Sequence, residues 1–528
     1  MSETKKTEFG KWRSFLWPVH NFELKKLLPM FLLFFFINFN YTILRDTKDA
    51  LIVTAPGSGA ETLPFLKVWA VLPMAILFMI VYSKLSNIFS KQKLFYSTIS
   101  FFIGYFALFA LVFYPNREFF HPNDLADKLQ AILPQGFSGM ISMLRNWTFS
   151  LFYVMAELWG SVAISLLFWG FANDITKVSE SKRFYTLFGL GANVAMLFSG
   201  PAIIYFSKMQ KGLAAGVDAW GITINYMVGM VCISGLIIMA IYRWIDKNVL
   251  TDSRFYDPNE LRRVKKEKPK MSLKESFSFL TRSKYIGCIA VLVIAYGIAI
   301  NLVEVTWKGQ LKLQYPNGND YQAFMGQFST ITGAITIFMM LFIGGNVTRR
   351  FGWKVGALIT PIVLLVTGVG FFSFVIFRDS LVGMIALLGT TPLMLAVIFG
   401  TAQNIMSKSA KYSLFDPTKE MAYIPLDQES KVKGKAAIDV VGARLGKSGG
   451  SLAQQGLIVA FGSLGAVTPY IGGILLVIIL GWIFAANSLG KQFTKLSAEK
   501  DEQAKLAAES IPEEVAIKSN IKQEVTTS

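Results

Sequence analysis

Apolar runs of about twenty residues or more recur along the whole of this 528-residue chain. In lipid, every backbone N–H and C=O must find a partner inside the protein, so runs of this length fold as membrane-crossing helices. Twelve are read, near 27–53, 64–83, 94–114, 147–172, 184–207, 219–243, 285–312, 326–346, 354–377, 382–408, 434–460 and 466–488. Hydrophobic residues make up 53% of the chain and charged ones 16%, as a polytopic helical membrane protein requires. The net charge of +18 suggests nucleic acid at first sight. The basic residues instead collect in alternate loops: Lys84 to Lys93, Lys177 to Arg183, the segment 244–284, Arg349 to Lys354, Lys408 to Lys435, and the tail. Such alternation is the positive-inside pattern. It places both termini in the cytoplasm and accounts for the charge without nucleic acid.

The chain divides into an N-terminal cytoplasmic segment (1–26), a first six-helix bundle (27–243), a basic linker (244–284), a second six-helix bundle (285–490) and a cytoplasmic tail (491–528). Trp12, Phe15, Leu16 and Trp17 give the first segment an interfacial character. It has no signal-peptide pattern. Weak internal echoes support two related halves. Lys48-Asp-Ala-Leu51 matches Lys308-Gly-Gln-Leu311. The basic turn Ser90-Lys-Gln-Lys93 lies at nearly the same offset from Phe351-Gly-Trp-Lys354. Asp174-Ile-Thr-Lys177 matches Asp416-Pro-Thr-Lys419. The expected fold is therefore all-α, with twelve transmembrane helices in two pseudo-symmetric halves of major-facilitator type and a substrate site between them.

Charges inside the apolar runs carry the functional information, since each costs about 2.5–3.5 kcal/mol near a bilayer centre on insertion scales. The first run ends in Arg45, Asp46, Lys48 and Asp49. Glu157 stands about ten residues into the fourth. Glu304 and Lys308 share a helix face at i, i+4 in the seventh. Arg444 and Lys447 lie in the eleventh, where Gly442, Gly446 and Gly450 form a small-residue stripe suited to close helix contact. Arg145 marks the mouth of the fourth run. These groups either pair among themselves as structure or line a pathway. Taken as a set they hold more cations than acids, which implies an anionic guest with several charges, such as a phosphate chain. Gly446-Lys447-Ser448 is not a P-loop, because its preceding glycine is too close and no strand precedes it. Cys232 and Cys288 fall inside apolar runs and pack there. His20 and His121 are the only histidines, so neither a metal site nor a cofactor is expected.

Leu44-Arg-Asp-Thr-Lys-Asp49, Ala156-Glu-Leu-Trp-Gly160, Trp169 to Lys177, Asn301-Leu-Val-Glu304 and Arg444-Leu-Gly-Lys447 together resemble the non-mitochondrial ATP/ADP translocases of intracellular bacteria and plastids. The likeness covers nearly the whole chain. It implies exchange of external ATP for internal ADP and sensitive charges at Lys48, Glu157, Glu304 and Lys447. It also implies a bacterial inner membrane, in a cell that draws energy from a host.

On this reading Lys48, Arg145, Lys308, Arg444 and Lys447 bind the substrate phosphates, with Arg145 as a capture site. Arg45, Glu157 and Glu304 form coupling salt bridges. Tyr41, Phe152, Tyr153, Asn193 and Asn301 are candidates for the base. The partners expected are ATP, ADP and inorganic phosphate, in a monomer within the bilayer. A proton-coupled nucleotide importer, with Glu157 or Glu304 titrating, is the alternative. A membrane-embedded enzyme would need an acid/base or metal constellation that the sequence lacks.

Overall fold

The first apolar run folds as helix α1, Leu24–Val53, 30 residues and about 45 Å long. It begins three residues earlier than its apolar content suggested, so Pro29 falls inside the helix rather than in its first turn. The computed structural model describes residues 19–209, 214, 216–252, 255, 275, 278 and 283–509. Among the described residues there is no strand, and nine helices are long and apolar enough to cross a membrane. Those that position the site are α1, α2 (Thr62–Ile88), α3 (Trp147–Ile175), α4 (Val178–Met209) and α5 (Lys284–Gln314). To these are added α6 (Gly318–Phe338) and α7 (Pro392–Ala410).

Local chemistry sets several boundaries. Ser283 caps α5 by accepting from the Ile286 amide, and Thr391 caps α7 by accepting from Met394. The longest helical stretch, Gly318–Ile376, runs to 59 residues but breaks at Gly352, where φ is 80°. Only glycine takes that conformation cheaply, so the expected runs 326–346 and 354–377 separate there. The expected run 382–408 is interrupted as well. A short helix, Arg378–Ala386, gives way to a turn with Gly389 at φ 69° before α7 begins. Pro392 at the first helical position fixes that restart.

Glycines bring the two halves together. A Cβ on Gly200 of α4 would lie 2.7 Å from the Gly326 carbonyl of α6, and one on Gly333 would lie 2.9 Å from the Asn193 carbonyl. The α4 and α6 backbones are therefore in direct contact, the way membrane helices pack without a hydrophobic driving force. The stripe on Gln428–Arg444 and the turns after it works similarly. A Cβ on Gly297 of α5 would lie 2.7 Å from the Gly446 backbone, and Gly442 and Gly450 meet Val293 and Asn301 of α5.

Both halves also meet at one end of the molecule. Gly136 abuts the backbone of Ile458 and Val459, Lys312 donates to the Ser58 carbonyl, and Gly309 faces Leu464 and Ala60. At the other end of α4 the halves part around a cleft of about 580 Å³, lined by Tyr185, Gly189, Met340, Arg349, Tyr412 and Met421. Apolar side chains such as Trp69, Ile76, Phe198, Val477 and Phe484 point outward, as a lipid-facing surface requires.

Candidate functional site

Four helices deliver a continuous chain of charges between the halves. Lys48 of α1 lies 2.9 Å from Asp49 and 3.0 Å from Glu157 of α3, with its ammonium 3.8 Å from the centroid of the Tyr153 ring. Asp49 turns its other oxygen to Lys308 of α5, at 2.7 Å. Lys308 also pairs with Glu304 one turn before it, at 2.9 Å. Glu304 lies 3.7 Å from Lys67 of α2, and Lys67 donates to the Asn301 side chain at 2.7 Å. Lys48, Asp49 and Lys308 are almost wholly enclosed, whereas the Glu157 side chain is 36% exposed and that of Glu304 24%. Three of these contacts cross from one half to the other: Lys308 to Asp49, Lys67 to Glu304, and Lys67 to Asn301.

The order along α1 follows from helical geometry. Positions 45, 48 and 49 are separated by three and four residues, so they fall on one face. That face meets α3, α5 and α6. Arg45 lies on the α6 side: its Nε donates to Asp46 at 2.9 Å and its Nη2 to Ser329 at 2.6 Å, while the Ser329 hydroxyl donates to Asp46 at 2.6 Å. Thr47 accepts from Gln322 at 3.0 Å. One turn of α1 thus supplies the site and three hydrogen bonds to the opposite half.

The expected site residues separate into groups. Lys48, Glu157, Glu304, Lys308 and Asn301 come together, with Tyr153 beneath Lys48. Tyr41 is half-buried against Gly160, with the Arg45 guanidinium 5.9 Å from its ring centroid. Phe152 lies instead in an aromatic core, 4.6 Å from Phe109 and 5.3 Å from Phe106 by ring centroids. Asn193 is buried on α4, where it donates to its own Gly189 carbonyl. Arg145 ends the helix Ser138–Arg145 at the closed end, paired with Asp127 and packed near Gly57. The side chains of Arg444 and Lys447 lie outside the described residues.

Sequence reasoning missed Lys67, Lys408 and Ser329, and it treated Asp46 and Asp49 only as flanking charges. Lys67 was detectable as a lone cation early in an apolar run. Lys408 sits in the last turn of α7 and reads as a loop residue in the sequence. In the structure its Nζ is 4.6 Å from the centroid of the Phe328 ring on α6. The described intramembrane groups then comprise Arg45, Lys48, Lys67, Lys308 and Lys408 against Asp46, Asp49, Glu157 and Glu304. Among the described residues the cations still outnumber the acids. Outside the membrane, burial and then Arg117 hold His121 down at about 4, so it stays neutral at physiological pH beside Thr148.

Residues 2–493 match the family model described as TLC ATP/ADP transporter. The chain is 63% identical over 503 residues to "ADP,ATP carrier protein 1" of Chlamydia muridarum, covering 95% of each chain. It is 57% identical over 478 residues to "ADP,ATP carrier protein 1, chloroplastic" of Arabidopsis thaliana, covering 90% of this chain and 75% of that one. Among solved structures, the xylose transporter XylE from E. coli, in a partially occluded inward open conformation, superposes with a TM-score of 0.51. That match covers 89% of this chain and 98% of the other at 12% identity, a likeness of fold alone.

Proposed function

The chain belongs to the TLC ATP/ADP transporter family, and on that premise we propose that it exchanges external ATP for internal ADP by alternating access between its two halves. The observation that carries this reading is the charge chain from Glu157 to Lys67, in which each cation is held by a carboxylate and three contacts cross between the halves. Phosphate oxygens compete with carboxylates for the same lysines, Arg by bidentate bonding and Lys as a point charge. A nucleotide that engages Lys48, Lys308 and Lys67 releases Asp49, Glu157 and Glu304. The ties between the halves then loosen only when substrate is bound. Without substrate the pairs re-form and hold the carrier in place. That dependence is what obligate exchange requires, because a carrier that returns empty leaks.

Arg444 and Lys447 contribute further phosphate contacts on this reading, and Arg145 acts earlier, as a capture site at the closed mouth. The base lies near Tyr41, Tyr153 and Asn301. The protein works as a monomer in a bacterial inner membrane, with both termini in the cytoplasm. Exchange of ATP4− for ADP3− moves one charge, and export of monobasic phosphate (H2PO4−) with ADP removes that imbalance.

The test is uptake of labelled ATP into proteoliposomes loaded with ADP, phosphate, both or neither. Strong uptake only with internal ADP is expected, and it should be abolished by Lys48→Ala and Lys447→Ala. Equal uptake into empty vesicles, rising with an inward proton gradient, would overturn exchange in favour of proton-coupled import. The partial exposure of Glu157 and Glu304 gives that second reading its physical basis, since water can reach both carboxylates.

A further inference from the structure

Lys408 and Arg45 stand apart from the charge chain. They approach α6 from opposite halves of the molecule, Arg45 at Ser329 and Lys408 at the adjacent Phe328. Asp46 neutralises Arg45, but among the described residues no carboxylate lies within ion-pair distance of Lys408. Arg45 spends Nε and Nη2 on Asp46 and Ser329, and its Nη1 makes no hydrogen bond among the described residues. Two cations that share one ion-paired carboxylate between the halves of a membrane protein leave a positive charge that an anionic guest can offset.

We propose that Arg45 and Lys408 form a second anion subsite, built from both halves, that takes a phosphoryl dianion. It rests on the nucleotide-exchange reading above. A guanidinium edge and an ammonium approaching from two sides match a tetrahedral group with three outer oxygens. Arg45 precedes Lys48 by three residues, about 4.5 Å along α1, a separation that a triphosphate chain can span. A nucleotide seated with two phosphates on Lys48 and Lys308 places its third between Arg45 and Lys408. A diphosphate leaves that place to free phosphate. The subsite therefore reads the one chemical difference between ATP and ADP. Because its two cations belong to different halves, the third phosphoryl also draws the halves together where the Lys48 chain does not reach.

The experiment uses the full-length protein in proteoliposomes, comparing ATP/ATP with ADP/ADP exchange for wild type, Lys408→Met and Lys408→Arg. If the guest is the terminal phosphoryl of ATP, Lys408→Met raises the KM for ATP about tenfold. The KM for ADP stays within twofold, and Lys408→Arg restores the wild-type value. If the guest is free phosphate, the KM for ATP holds, but stimulation of ADP efflux by inorganic phosphate disappears in Lys408→Met and returns in Lys408→Arg. Retained ADP/ADP exchange shows in either case that the variant is folded. An equal rise in both KM values, an unchanged variant that keeps its phosphate response, or an arginine variant as impaired as the methionine one overturns the subsite. A wild-type protein that exchanges neither nucleotide overturns the transport reading instead. Binding of labelled inorganic phosphate to the solubilised protein, kept in wild type and lost in Lys408→Met, then still decides the subsite.

Discussion

Asp49 lies between two lysines, 2.9 Å from Lys48 and 2.7 Å from Lys308, and the second of these contacts joins the halves. Removing one partner of a buried ion pair costs about 3–5 kcal/mol, because the remaining charge is left uncompensated. In a carrier part of that cost falls on one conformation. Asp49→Asn is expected to loosen the empty state and raise ADP efflux into nucleotide-free buffer at least tenfold. Efflux from loaded proteoliposomes measures this, and an unchanged leak would remove Asp49 from the lock. The sequence made Lys48, Glu157, Glu304 and Lys308 legible because a charge in an apolar run stands out by its cost. It could not say that Asp49 turns away from its own helix to Lys308. Nor could it tell Tyr153, which lies under Lys48, from its neighbour Phe152, which lies among Phe106 and Phe109. Adjacent positions on a helix point about 100° apart, and periodicity does not say what each face meets.

At the level of elements, the seam between α4 and α6 depends on glycine more than on any charge. A side chain at Gly326 would meet the Gly200 carbonyl at 2.8 Å and Ile203 at 2.9 Å. Gly326→Leu should lower stability by about 1–3 kcal/mol, read as a clear drop in melting temperature in detergent. Gly229→Ala, where nothing lies within 4 Å, should leave it unchanged. Asn193, a candidate for the base, lies on α4, where its amide reaches the Gly189 carbonyl and the Met340 sulfur beside the cleft; a polar residue in an apolar run marks an interface without naming its kind. The stripe of Gly442, Gly446 and Gly450 was legible for the opposite reason. Small residues every four positions have one use, and α5 fills it. The break at Gly352 and the restart at Pro392 show the limit of hydropathy, which counts apolar length but does not see a left-handed glycine within it.

For the whole molecule, one end is sealed by Gly136 on Val459 and by Lys312 on Ser58, while the halves part at the Tyr185–Tyr412 cleft. If the two ends open alternately, a cysteine at Tyr412 should react with a membrane-impermeant thiol reagent in the empty state, and one at Ser58 only during exchange. Rates of labelling measure this, and constant reactivity at Ser58 would contradict alternation. Voltage supplies a second check. Moving one net charge per cycle feels about 2.3 kcal/mol per 100 mV, close to a fiftyfold change in the limiting ATP gradient. A potassium diffusion potential should produce that shift when ADP alone is inside, and it should vanish if monobasic phosphate leaves with ADP. The carboxylates of Asp49, Glu157 and Glu304 also bear on inhibitor chemistry. On the exchange mechanism proposed above, they occupy in the empty protein the places that phosphate oxygens take from them, so the carrier holds an imitation of its own cargo. Adenosine has nothing with which to displace that imitation, however well its ring fits. A useful inhibitor must outbid three carboxylates for their lysines, which asks for two or more clustered anionic groups before any refinement of the base.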